Sequence, residues 1–504
     1  MNDKPGFDNT KYLDQQSRAI MERAESIGGK LYLEFGGKIA FDYHAARVLP
    51  GYDPNVKIRL LQKLKDQAEI IVCIYAGAIE RRKIRADFGI TYDVDALKLI
   101  DDLRGWGLLV RAVVITRFED QPSARVFKAG LERRGLPVYT HGMTSGYPTD
   151  VDRIVSNEGY GANDYIPTER PVVIVAGPGP GSGKLATCLS QVYHEHLLGN
   201  AAGYAKFETF PIWNLPLKHP VNVAYEAATV ELKDVNQIDP FHLEAYGDQA
   251  VNYNRDIEAF PLVARILERV GADSRYRSPT DMGVNRAGFA IVDDAAVRAA
   301  AEQEVIRRYF RYACEFALGL VEREDAERAE LIMKDLGLDE LRRAVVQPAR
   351  DEAAEGEAQG KGNNGVFCGA AIALQDGHIA TGKNSPLMHT ASAVVLNAVK
   401  HLAGIPDDIP LLTPAVLESI ANMKTEILRF KSSSLDLDEM LIALAISATS
   451  NPAAQKGVEY LTQLSGCEFH TTHLPTVGDE AGLRRLGLNV TSDPQFASRS
   501  LVND

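Results

Sequence analysis

The 504-residue sequence contains five cysteines, Cys73, Cys188, Cys314, Cys368 and Cys467. They lie far apart and form no CxxC pair, which argues against a disulfide framework and for reduced thiols. Long apolar runs are also missing. The longest, Ile70 to Ile79, is closed by Glu69 and Glu80, well short of the roughly 20 residues that a membrane span needs. The opening stretch, MNDKPGFDNTKYLDQQ, holds no apolar signal core. Positive charge is in deficit, with 55 Lys and Arg against 68 Asp and Glu and a net charge of −13. Such a chain has no long-range attraction for nucleic acid or an anionic membrane. The expectation is a cytoplasmic protein that binds neither, with any anion site confined to a local pocket.

Hydrophobic residues make up 45% of the chain, enough for several cores and too many for a disordered protein. The first third alternates helical spacing (10–28, 57–67, 94–104, 122–134) with β-branched runs (31–36, 69–76, 108–116, 137–140, 151–155, 171–176). Continuous apolar strands separated by helices predict a doubly wound, mostly parallel α/β sheet. Residues 211–256 read as ordered loop and short helix, and 293–354 as almost wholly helical, with Gly337 as a C-cap break. The stretch 349–364, ARDEAAEGEAQGKGNN, lacks large apolar residues and reads as a linker. Ser385-Pro386 reads as a helix start, and the remainder as a second α/β unit. The expected division is an α/β domain over 1–240, a mainly helical subdomain over 241–350 and a C-terminal α/β domain over 351–504. A long helical segment is compatible with a homo-oligomer.

One segment carries chemistry. The strand RPVVIVA runs into Gly177-Pro-Gly-Pro-Gly-Ser-Gly-Lys184, and LATCLSQVYHEH follows as a helix. A strand, a glycine-rich turn and a helix start bring free amides and a positive helix end to one point, and Lys184 adds a full charge. The predicted phosphate ligands are the amides of Gly179, Gly181, Ser182 and Gly183, with Lys184 and Thr187. The segment departs from the nucleotide-binding P-loop. Five residues separate Gly177 from Gly183, Pro178 follows the first glycine, and Leu185 stands where a magnesium-holding hydroxyl belongs. Magnesium therefore stays an open cofactor. Zinc is not supported: there is no H-E-x-x-H, and Cys467, His470 and His473 would meet only on a loop.

Glu208, just past a short strand starting at Gly203, is expected at the carboxyl end of the sheet, as general base or metal ligand. Asp281, in the polar loop SPTDMGVN, is the second candidate carboxylate, with a capping role as the alternative. Arg255 could clamp phosphate with its planar fork or pair with an acid. The expected catalytic set is Lys184, Glu208 and Asp281, acting on a phosphorylated small molecule or nucleotide by phosphoryl transfer or phosphate-ester hydrolysis. The alternative is a non-catalytic sensor of such a ligand.

The strings KYLDQQ, GGKLYLEFGGK, DYHAARVLPGYDP, GPGSGKLATCLSQVYHEH, AGYAKFETFPIWNLPLKHPVN, NYNRD and SPTDMGVN, with Gly466-Cys467 and the Glu and His that follow, span nearly the whole chain. In them the sequence resembles the bacterial domain-of-unknown-function family 1846. The resemblance implies a large α/β N-terminal domain, a helical piece and a C-terminal α/β domain. It implies no activity, although some members carry an ATP-dependent peptidase label.

Overall fold

A computed structural model describes residues 5–83, 90–271 and 276–497. The chain forms two compact units, the first ending at Ala301 and the second starting at Glu302. The sequence reading puts boundaries near 240 and 350 instead. Residues 241–301 stay with the first unit because they are woven into it. β-Pairing joins 236–238 to 251–253, and Phe260, Val263 and Ile266 enter the core beside the sheet.

The first unit is built on six parallel strands: β1 (Lys30–Phe35), β2 (Ala68–Tyr75), β3 (Val110–Thr116), β4 (Val138–His141), β5 (Val172–Ala176) and β6 (Ala202–Phe207). Their order is β4-β3-β2-β5-β1-β6. The fold is thus α/β, as the alternating pattern predicts. Every residue of β5 is buried, as its apolar run requires in a sheet covered on both faces. Tyr32, Cys73, Val173 and Val175 pack on one face with Cys188, Leu189 and Val192 of the helix Lys184–Leu197. Leu33, Val72 and Ile174, one residue out of phase, are buried on the other.

From β2 the chain moves to β3; from neighbouring β5 it moves the opposite way, to β6. Such a switch opens a crevice outside the carboxyl ends of the strands. Residues 151–155, expected as a strand, form a helix over Val151–Ile154. Asp150 decides this, since its side chain accepts the Arg153 amide at 3.1 Å and caps the turn.

The second unit carries β9 (Gly369–Ala373), β10 (Ile379–Lys383), β11 (Glu468–Thr471) and β12 (Asn489–Ser492), in the order β10-β9-β11-β12; the small hairpin of the first unit supplies β7 (Asn236–Ile238) and β8 (Val251–Tyr253). Only β11 and β12 run parallel. Val394, Val395, Met440, Leu444 and Phe469 form its core.

The expected linker at 349–364 is instead helical over Val346–Ala358. Its Ala and Glu residues favour helix, and its small residues let it lie backbone-to-backbone on β9. A Cβ at Gly369 would fall 2.1 Å from the Ala349 carbonyl oxygen and 2.5 Å from the Ala353 amide nitrogen. Large side chains are absent there because none would fit. The Ser385-Pro386 helix start is also displaced. The Ser385 hydroxyl closes a turn by accepting the Leu387 and Met388 amides, and the helix begins at Thr390. Among the described residues, no helix is long and apolar enough to cross a membrane.

Candidate functional site

A cavity of about 1090 Å³ lies along the carboxyl ends of the parallel strands. Its rim takes Gly36 after β1, Arg117 after β3, His141 from β4, the Gly177–Gly183 loop after β5, and Lys206 and Glu208 at the end of β6. The glycine-rich loop singled out in the sequence therefore opens into this cavity.

The loop's shape depends on glycine at two points. Gly181 has φ +71° and Gly183 has φ +91°, and Gly183 is the N-cap of the helix Lys184–Leu197. A Cβ at Gly183 would also sit 2.7 Å from the Thr116 side chain. Thr116 and Arg117, at the end of β3, hold the loop through its carbonyls. The Thr116 hydroxyl donates to Ser182 O at 2.8 Å and Arg117 donates to Gly181 O. With the carbonyls turned to β3, the amides of Gly179, Gly181, Ser182, Gly183, Lys184 and Leu185 have no backbone acceptor among the described residues. The Ser182 hydroxyl is buried without a hydrogen-bond partner. Lys184 is half-buried on the cavity wall, and its ammonium makes no hydrogen bond or ion pair among the described residues. Unspent donors around a loop at a helix N-terminus can cradle an anion.

Thr187 lies behind that loop. It is fully buried and accepts a hydrogen bond from the Cys73 thiol at 3.4 Å, tying the helix to β2. Burial pushes the Cys73 thiol up to about 12, so it stays protonated and able to donate.

A second polar cluster stands across the cavity. Lys206 lies beside Glu34 in the parallel register of β1 and β6. Its ammonium is 2.6 Å from both carboxylate oxygens of Asp256 and 3.4 Å from Glu208, and it also donates to the Tyr253 hydroxyl. Tyr253 in turn donates to Glu208 at 2.9 Å, and Tyr204 donates to Glu34 at 2.8 Å. Glu208 leans over Gly36, where a Cβ would meet its Cγ at 2.3 Å. Burial raises the Glu208 carboxyl to about 7; Lys206 opposes the rise, while Asp256 and Glu34 add to it. A carboxyl so placed can accept a proton near neutral pH.

The other expected site residues are engaged elsewhere. Arg255 lines the cavity, but its guanidinium forks onto both oxygens of Asp234. Asp281 is absent from the cavity wall. Its carboxylate accepts the Tyr246 hydroxyl at 2.8 Å and the Arg277 amide at 3.0 Å. The loop around it covers a sheet edge, because Val284 N donates to Lys206 O of β6. His194 and His196 bond the carbonyls of Asn163 and Ala202. His470 is buried on β11 against Thr491. Among the described residues, no group of three or more His, Cys, Asp or Glu side chains is placed to hold a metal ion.

The family model described as "Domain of unknown function DUF1846, N-terminal" matches residues 5–337, and its C-terminal counterpart matches residues 341–502. The chain belongs to the DUF1846 family. A UPF0371 protein of Clostridium tetani (strain Massachusetts / E88) is 56% identical over 499 residues, covering 99% of each chain. A UPF0371 protein of Clostridium botulinum (strain Langeland / NCTC 10281 / Type F) is 57% identical over 498 residues, covering 98% of this chain and 99% of its own.

In this DUF1846 protein, sequence reasoning singles out the loop and Glu208 but misses Glu34, Thr116, Arg117, Lys206 and Tyr253. Glu34, Thr116 and Lys206 stand at or near the carboxyl ends of their strands, with Arg117 directly after β3. Extending the strand-end rule from Glu208 to every strand would have found those four. Tyr253 ends a three-residue strand that only the fold brings close.

Gly183→Ala tests the loop's geometry. It adds a Cβ into Thr116 and holds an L-residue at φ +91°. The expected loss is about 1–3 kcal/mol in urea unfolding. A loss below about 0.5 kcal/mol would show that the loop adapts freely.

Proposed function

We propose that the cavity binds a phosphorylated small molecule or nucleotide and catalyses phosphoryl transfer or phosphate-ester hydrolysis on it. One observation carries this reading: the Gly177–Gly183 loop presents unspent amides, a buried unpartnered Ser182 hydroxyl and an unpaired Lys184 ammonium at a helix N-terminus. Lys184 and the amides neutralise the phosphoryl oxygens and the charge that grows on them. Glu208 takes the proton of the attacking water or hydroxyl as the new O–P bond forms and the ester P–O bond breaks. Arg255 stays paired with Asp234, and Asp281 stays with the Tyr246 hydroxyl and the Arg277 amide. All five cysteines are free thiols, which supports a reducing compartment such as the cytoplasm.

The sensor reading draws support from the helix start. Leu185 stands where a metal-holding hydroxyl is expected, and Thr187 is committed to Cys73. Binding without magnesium then leads to signalling rather than turnover.

The test is a thermal-shift and calorimetry series with phosphate, pyrophosphate, sugar phosphates and nucleotides, with and without magnesium. Ligand at 100 times its dissociation constant is expected to stabilise the protein by about 2.7 kcal/mol. Lys184→Ala is expected to weaken the hit by about 10- to 150-fold, since a hydrogen bond to a charged group contributes about 1.5–3 kcal/mol. No shift with any phosphate compound, or a hit indifferent to Lys184→Ala, rejects the reading. Product formation followed by 31P NMR separates enzyme from sensor.

A further inference from the structure

The cavity is much larger than its phosphate loop requires. At about 1090 Å³ it reaches the upper end of small-molecule sites, about 300–1,000 Å³. Inorganic phosphate would leave most of it to water. Its two ends also have opposite chemistry. The β5 end offers N–H donors and Lys184. One strand over, β1 delivers Glu34; two strands over, β6 delivers Glu208, whose side chain leans back over Gly36 at the end of β1.

These two carboxylates keep acceptor capacity. Tyr204 occupies one oxygen of Glu34, and the other has no hydrogen-bond partner among the described residues. Tyr253 occupies one oxygen of Glu208, and the other meets only Lys206, at 3.4 Å. Lys206 itself is committed to Asp256. Carboxylate oxygens of this kind accept from hydroxyl or amine groups and repel a second phosphate. Leu189, Leu262, Ile266 and Met282 give the same cavity an apolar wall.

Resting on the phosphate reading above, we infer that the ligand is a phosphate monoester of a hydroxyl-bearing organic group, a sugar or nucleoside monophosphate. Its phosphate sits on the Gly177–Lys184 loop, its hydroxyls donate to Glu34 and Glu208, and its carbon skeleton lies along the Leu262–Ile266 wall. The register of the sheet sets the distance between the two recognition points, so the cleft measures ligand length as well as charge.

Titration calorimetry on the full chain tests this with inorganic phosphate, n-butyl phosphate, glucose 6-phosphate and adenosine 5′-monophosphate. At least one of the last two is expected to bind about tenfold or more tighter than n-butyl phosphate, which has the phosphate and carbon chain but no hydroxyls. The tighter of the two names the source, sugar or nucleoside. Glu34→Gln and Glu208→Gln, isosteric changes, are each expected to shrink that preference several-fold. Equal affinity for n-butyl phosphate and both hydroxylated esters overturns the inference and leaves the phosphate reading standing; this comparison needs only the wild-type protein. A preference that survives intact in both Gln variants also overturns it. Failure of all four compounds to bind overturns the phosphate reading itself.

Discussion

Lys206→Met is expected to lower the stability of the first unit by about 1–3 kcal/mol at pH 8, the range for losing hydrogen bonds to charged, partly buried groups. Among the described residues the ammonium is the only cation bonded to Asp256, and it faces Glu208 and Glu34 as well. Methionine fills the space of the stem but leaves these neighbouring carboxylates without their cation. The loss should depend on pH. Burial already raises Glu208 to about 7, and removing Lys206 raises it further, because Lys206 opposes the shift. Between the ordinary carboxylate value and that raised one, the native state holds a proton that the unfolded state has released. Stability therefore falls as pH rises through this window. The Lys206→Met deficit should be largest near pH 8 and smaller near pH 5, where Glu208 is neutral. Urea unfolding at the two pH values checks this. An equal deficit at both would show that Glu208 does not sense Lys206.

Arg343→Met is expected to weaken the second unit by about 3–5 kcal/mol, the range for removing one partner of a buried ion pair. Arg343 is fully buried, and burial lowers its guanidinium to about 10, a shift that Glu468 opposes. Its fork donates to Glu468, to the Thr491 hydroxyl at 2.9 Å, and to the carbonyls of Phe469 and Asn489 at 3.1 and 2.6 Å. Those acceptors lie on β11 and β12, the only parallel pair of that sheet. Removing the guanidinium takes a donor from the Asn489 carbonyl, leaves the Phe469 carbonyl with the Thr491 hydroxyl, and leaves Glu468 with Arg307 as its remaining cation. Arg343→Lys should recover little, because one ammonium on a flexible stem cannot reproduce a planar fork. Denaturant unfolding of both variants tests this, and a loss under about 1 kcal/mol in Arg343→Met would mean the network is replaceable by packing.

The parallel sheet was legible in the sequence because its signal is local. Runs such as Val172–Ala176 are apolar throughout, which only a strand buried on both faces requires. The glycine-rich turn between β5 and its helix was legible for the same reason, since its glycines, its lysine and the helix after it are consecutive. What the sequence leaves open are readings in which the deciding partner lies far along the chain. The helix at Val346–Ala358 looked like a linker because its small residues match Gly369 on a strand not yet formed. Asp281 reads as a second candidate carboxylate, as base or metal ligand, or as a cap, because its partner Tyr246 cannot be placed beside it from sequence. Arg255 had the right chemistry for phosphate, and its competitor Asp234 is decided only by the turn into β7 and β8. The polar cluster opposite the loop was half visible. Glu208 follows from the strand-end rule, whereas its poise depends on Tyr253 and Asp256, which arrive from another element.

The position of β1 has a consequence for how the protein is made. This first strand of the chain lies between β5 and β6, so Lys30 pairs with Ala202 and Leu31 with Val172. During synthesis β1 must wait, apolar and unpaired, until both later strands have left the ribosome. Contacts so distant in sequence slow folding and lengthen exposure of the unpaired edge. The cavity shares this timing, because Glu34 ends β1, the anion loop follows β5 and Glu208 follows β6. No truncated chain lacking β6 can assemble both ends of the cleft. On the proposed phosphate reading, ligand affinity reports that the sheet has closed in its native order.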